Sequence, residues 1–180
     1  MHLDLMRDKS KQFPMVEDPL TVTTARIWHC NYASLRPLES LRSLQVLVIA
    51  TYPDNDFAPF APLRQLRHLR VLHFPNAYEL QPLAELENLD TLSLESLPSW
   101  DSSGKVLSVH SLDPLSHLAR LRHLELFGVR PTSGGLEPLL RLRALQSARF
   151  SRLPASEVSR FYSSAGVSDD FAPDAVFAAA

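Results

Sequence analysis

Cysteine is nearly absent. The single Cys30 can form neither an intrachain disulfide nor a cysteine zinc site, which excludes a disulfide scaffold and fits a reducing compartment. Long apolar runs are missing too: no window approaches the roughly 20 apolar residues that span a bilayer. Residues 1–11 are polar, with Asp4, Arg7, Asp8, Lys9 and Lys11 where a secretory signal would be apolar, so a cytoplasmic protein without a membrane partner is expected. There is no basic excess. Eighteen Lys and Arg against 20 Asp and Glu leave a formal net charge of −2, which argues against nucleic acid as partner and against electrostatic steering of a highly charged one. Five glycines form neither a glycine-rich phosphate loop nor a Gly-x-Ser-x-Gly elbow, and no cofactor or metal is expected.

What the chain has instead is leucine, placed at regular intervals. The pattern Leu-x-Pro-Leu-x-x-Leu-x-x-Leu-x-x-Leu-x-Leu reads five times, at residues 35–49, 60–74, 80–94, 112–126 and 136–150. Of 30 ladder positions 25 are Leu; the others are Phe60, Ile49, Phe74, Ala148 and Phe150. The proline recurs as Pro37, Pro62, Pro82, Pro114 and Pro138. Such self-similarity marks a solenoid whose repeats bury their apolar edges only against one another. Leucines three apart suit a 3₁₀ turn or short helical piece, with proline near its start, where a missing N–H costs nothing. The closing Leu-x-Leu has the period of a strand. Each repeat thus reads as a helical turn leading into a strand, and stacking gives a parallel sheet on one face with the turns on the other.

These residues resemble the leucine-rich repeat family, and the Leu-x-Pro-Leu opening is most similar to its bacterial internalin-type branch. The resemblance implies an α/β solenoid with a parallel β-sheet on the concave face and short helical or 3₁₀ turns on the convex face. In the family an asparagine usually follows the strand; here the slots read Cys30, Tyr52, Ala77, Leu97, Val129 and Leu153, so apolar packing must close the turns. A degenerate strand at 23–30 precedes the five copies. The domain reading is therefore an N-terminal cap (1–22), the solenoid (23–153, with a polar insertion at 98–110), a C-terminal capping helix (154–166) and a flexible tail (167–180). Equivalent strand positions Ala25, Leu47, Leu72, Leu92, Leu124 and Ala148 lie 22, 25, 20, 32 and 24 residues apart.

Residues between the inward leucines face the concave side. Between the strand pair stand Arg26, Val48, His73, Ser93, Glu125 and Arg149. One position later come Trp28, Ala50, Pro75, Glu95, Phe127 and Ser151. One position earlier come Thr24, Val46, Val71, Thr91, His123 and Ser147. Trp and Arg are enriched at binding hot spots. The expected protein-binding residues are Arg26, Trp28, Val46, Val48, His73, Glu95, Glu125, Phe127 and Arg149, joined by Trp100 and Asp101 from the insertion. Two readings stand for Trp28: presented on the concave face, or packed beneath the N-terminal cap. The aligned charges Arg70, Asp90 and Arg122, and Arg67 with Glu87, read as structural ladders.

No catalytic constellation stands out. The expectation is a non-catalytic, protein-binding scaffold, monomeric or weakly self-associating, of regulatory or immunity type in bacteria. Two alternatives are a self-assembling structural protein and a small-ligand binder or enzyme using His73, His123 and Glu125.

Overall fold

In the computed structural model, which describes residues 1–178, eight strands form one parallel sheet. The strands of the leucine ladder are β2 (Thr24–Trp28), β3 (Val46–Ala50), β4 (His68–Leu72), β5 (Thr91–Glu95), β7 (His123–Phe127) and β9 (Ser147–Phe150). At one edge β1 (His2–Met6) pairs with β2; at the other β10 (Ser168–Asp169) pairs with β9. The insertion forms a short helix, α1 (Pro98–Ser102), and a strand β6 (Leu107–Val109), which pairs with β8 (Val129–Pro131) in a separate two-stranded sheet. Leu107 and Val109 are buried, so the mostly polar insertion is anchored by its few apolar residues. A final helix, α2 (Ala155–Ala165), lays Phe161 against Phe150, and the Tyr162 hydroxyl donates to the Ala148 carbonyl over 2.8 Å.

Five 3₁₀ turns precede the ladder strands after β2: Arg36–Ser40, Ala58–Phe60, Gln81–Glu85, Asp113–His117 and Glu137–Arg141. Each has proline in its first two positions, where no N–H is needed. The leucines behind them are nearly all inaccessible to solvent, and each such side chain contributes about 1.5–3 kcal/mol of burial energy.

The second repeat corrects the sequence reading. Sheet register pairs Leu47 with Leu69 and Ile49 with Val71, not with Leu72 and Phe74. The copy therefore runs from Phe57 through Pro59, Phe60, Leu63, Leu66 and Leu69 to Val71, all buried at the apolar positions. Equivalent strand positions are then 22, 22, 23, 32 and 24 residues apart. The error arose because Pro59 and Pro62 both fit the frame and a ladder of period three looks the same when slipped by three. In a strand that odd slip exchanges the inner and outer faces. The slot after β4 is accordingly Phe74 instead of Ala77, and Phe74 joins Tyr52, Phe57 and Phe60 in a buried aromatic cluster with ring centroids 5.2–5.6 Å apart. Likewise the aligned charges before the strands are Arg67, Asp90 and Arg122, linked by backbone hydrogen bonds of 2.8 Å, and Arg70 is not among them. Arg64, not Arg67, meets Glu85 and Glu87, at 2.6 and 3.8 Å.

After every strand of the eight-stranded sheet from β1 to β9 except β5 the chain leaves the sheet through a left-handed residue, two positions beyond Phe150 in the case of β9. Arg7, His29, Thr51, His73 and Arg152 have φ between 51° and 72°, and Gly128 has φ of 64°. One αL residue is enough to turn an extended chain sharply away from the sheet plane.

Candidate functional site

With the register settled, the concave face resolves into three rows running across the strands. The middle row reads Asp4, Arg26, Val48, Arg70, Ser93, Glu125 and Arg149 from β1 to β9. Next to it lie Met6, Trp28, Ala50, Leu72, Glu95 and Phe127; on the other side lie His2, Thr24, Val46, His68, Thr91, His123 and Ser147.

Each arginine of the middle row is matched by a carboxylate. Arg26 grips Asp4 with two hydrogen bonds of 2.9 and 2.6 Å. Arg70 grips Glu95 in the same forked way, at 2.6 and 3.0 Å, while the Ser93 hydroxyl donates to Glu95 over 2.6 Å. Arg149 stands 3.9 Å from Glu125. The forked guanidinium groups of Arg26 and Arg70 are held in one orientation, so they meet a partner with little freedom left to lose. Burial and the neighbouring charge of Glu95 raise the Glu125 carboxyl above its usual range. Burial, then the charge of Arg70, pushes the His68 imidazole down to about 4. Burial lowers His123 as well.

Of the residues expected from sequence, Arg26, Trp28, Val46, Val48, Glu95, Glu125, Phe127 and Arg149 lie on this face. Val48 is buried, and Trp28 is half-buried beside Met6 at the β1 end of its row. His73 does not belong. It sits in the left-handed turn after β4, where its ring meets Trp100 edge-on at 4.9 Å, and its place in the row is taken by Arg70. Trp100 thus braces α1 against that turn. The side chain of Asp101 lies outside the described residues. The trio His73, His123 and Glu125 is not assembled, since only the last two share β7. Arg70 and His68 were missed, and equal repeat spacing was the signal that finds them.

The larger omission is what covers the face. Residues 167–180 were expected as a frayed tail. Instead, beyond β10 the chain crosses back over the concave side toward β1. Phe171 lies flat under the Arg149 guanidinium, 3.6 Å from carbon to ring centre. The Ala172 amide donates to Glu125 over 3.4 Å. Phe177 approaches His2, with ring centres 4.8 Å apart, and Arg26 at 5.8 Å. The Ala178 amide donates to the Thr24 hydroxyl over 3.2 Å.

No family model and no curated protein matches the sequence. Among solved structures, internalin C2 from Listeria monocytogenes is similar at 24% identity and a TM-score of 0.54, over 73% of this chain and 53% of that one. The fold is an internalin-like leucine-rich repeat solenoid. A second internalin of the same species aligns at 19% identity and a TM-score of 0.48, over 82% of this chain and 47% of that one. A leucine-rich repeat protein from Leptospira interrogans aligns at 18% and 0.43, over 80% and 42%. The solenoid described here thus spans about half the length of these proteins. No helix among its described residues is long and apolar enough to cross a membrane.

Proposed function

We propose that the chain is a non-catalytic scaffold that binds a protein partner on the concave face of its solenoid. The observation that carries this reading is the middle row, where Arg26 and Arg70 are oriented by carboxylates, Arg149 stands near Glu125, and Trp28 and Phe127 flank them. A rigid sheet orders little backbone on binding, so more of the contact energy survives as affinity. The ionisable groups of the row are engaged in pairs, which suits recognition better than proton transfer. The solenoid and its flanking segments, 1–22 and 154–166, are taken as one binding unit. In its finer form the reading is a cytoplasmic bacterial inhibitor of immunity type, supported by the buried free Cys30 and by likeness in fold.

The test is affinity capture with the wild-type chain and a Trp28→Ala, Phe127→Ala variant of unchanged melting temperature, followed by titration of the captured protein against both. Loss of about ten-fold or more in affinity, equivalent to about 1.4 kcal/mol, places binding on this face. Equal affinity moves it elsewhere. A second reading, self-assembly, follows from β1, an edge strand whose outer side has no strand beside it among the described residues. A monomer by light scattering at micromolar concentration removes it.

A further inference from the structure

The C-terminal segment over the concave face has a composition and spacing that match what lies beneath it. Asp169-Asp170-Phe171-Ala172-Pro173-Asp174-Ala175-Val176-Phe177 places two aromatics around a central carboxylate, three residues to either side. Each of the three falls to one arginine of the middle row. Phe171 stacks on Arg149, Phe177 faces Arg26, and Asp174 lies within electrostatic reach of Arg70 and His68. Guanidinium groups attract both aromatic faces and carboxylates, so one row of arginines reads the whole pattern.

The conformation is nearly fully extended. From Ala172 at β7 to Ala178 at β2 the segment crosses four strand spacings, about 19 Å at about 4.8 Å each. Six residues reach at most about 20–22 Å. The span thus calls for an extended chain, and two backbone amides, donating to Glu125 and Thr24, tie it to the face.

The segment is nevertheless loosely seated. Phe171 is 62% exposed and Val176 80%. A groove of about 660 Å³ stays open between the segment and the face, walled by Arg70, Glu95, Glu125 and Phe127. An occupant that leaves this much apolar surface in water is one that a better-fitting segment can replace.

We propose that the concave groove recognises an extended peptide segment carrying an aromatic-x-x-carboxylate-x-x-aromatic pattern, and that residues 170–178 are the chain's own copy of that ligand, displaced when a partner supplies one. The proposal rests on the reading of this face as the binding surface and adds to it the chemistry of the partner segment.

The probe is a fluorescent peptide of residues 168–178, titrated into the full-length wild type and a full-length Phe171→Ala, Phe177→Ala variant. The substituted side chains are on the covering segment, outside the leucine core. The variant binds the peptide at least about ten-fold more tightly than wild type, because its groove is open more of the time. Adding Arg149→Glu abolishes that binding, as does carrying the two alanines in the peptide. Equal affinity for both proteins, or binding to neither, overturns the proposal. Hydrogen exchange on the wild type is an independent check: unprotected amides at Ala172 and Ala178 would also overturn it. A wild-type dimer that dissociates in the Phe171→Ala, Phe177→Ala variant assigns the occupant to a second copy and overturns it too. If the peptide fails while the captured partner still loses affinity on Trp28→Ala, Phe127→Ala, the scaffold reading stands and only the peptide chemistry falls.

Discussion

His68 shows how much the surroundings of one side chain decide. It is a half-buried imidazole next to Arg70, and both burial and that charge favour its neutral form, with a pKa of about 4. In the unfolded chain histidine titrates near 6.5. Above that pH both states are neutral and the group has no effect on stability. As pH falls from about 6.5 to 4 the unfolded state takes up the proton first, so stability drops by up to about 3 kcal/mol and then levels off. His73 and His123, lowered by burial, act in the same direction. Glu125 acts in the opposite one: its raised pKa makes the folded state bind a proton more readily, which returns some stability just above pH 4.5. Denaturant unfolding from pH 7.5 to 4 should therefore show falling stability, with a shallower fall for His68→Gln. An unchanged slope in that variant would place the titration elsewhere.

At the level of elements, the turn after each strand and the close of the last repeat pull in opposite directions. Thr51 holds φ of 72°, a strained region for a β-branched residue, while asparagine enters it readily. Thr51→Asn, which gives up only an exposed hydrogen bond between the Thr51 hydroxyl and His29, should stabilise the chain by up to about 1 kcal/mol, which thermal melting would register as a higher midpoint. Gly135 is the reverse case. Its φ is 56°, and a Cβ there would collide with the Glu157 carboxylate, which accepts the Leu136 amide at 2.7 Å and ties α2 to the last 3₁₀ turn. Gly135→Ala should destabilise by about 1–3 kcal/mol, through strain and the loss of that cap. Both variants can be measured in one denaturant series; a loss in the first or a neutral second would refute the reading of these turns. The same scale holds the lesson of the second repeat. Its turn and strand were legible as types, yet two prolines three residues apart allowed two frames, and the choice between them exchanged His73 for Arg70 on the concave face.

For the whole molecule, the buried core and the segment covering the concave face are separate parts. The leucine ladder from Ala25 to Ala148 is buried throughout, whereas the segment crossing the face leaves Phe171 and Val176 mostly in water. A chain ending after Asp169 keeps β10 and the core, so its melting midpoint should shift by less than about 5 °C. A larger drop would show that the segment is part of the folded core and not a replaceable occupant.

The sequence by itself determined the repeat, the parallel solenoid and eight of the nine residues expected on its concave face. Periods of three and two are local properties, and burying leucine leaves the chain few other ways to stack. Tertiary structure alone decided the frame of the second copy, because a period-three ladder is blind to a slip of three and only hydrogen-bonded neighbours reveal it. It alone moved Trp100 to a bracing role beside His73. It alone brought residues 170–178 back over the strands from β9 to β2, as far as Thr24, 154 positions earlier. That last return depends on aromatic and charged side chains meeting across the whole solenoid, and no local pattern encodes such a meeting.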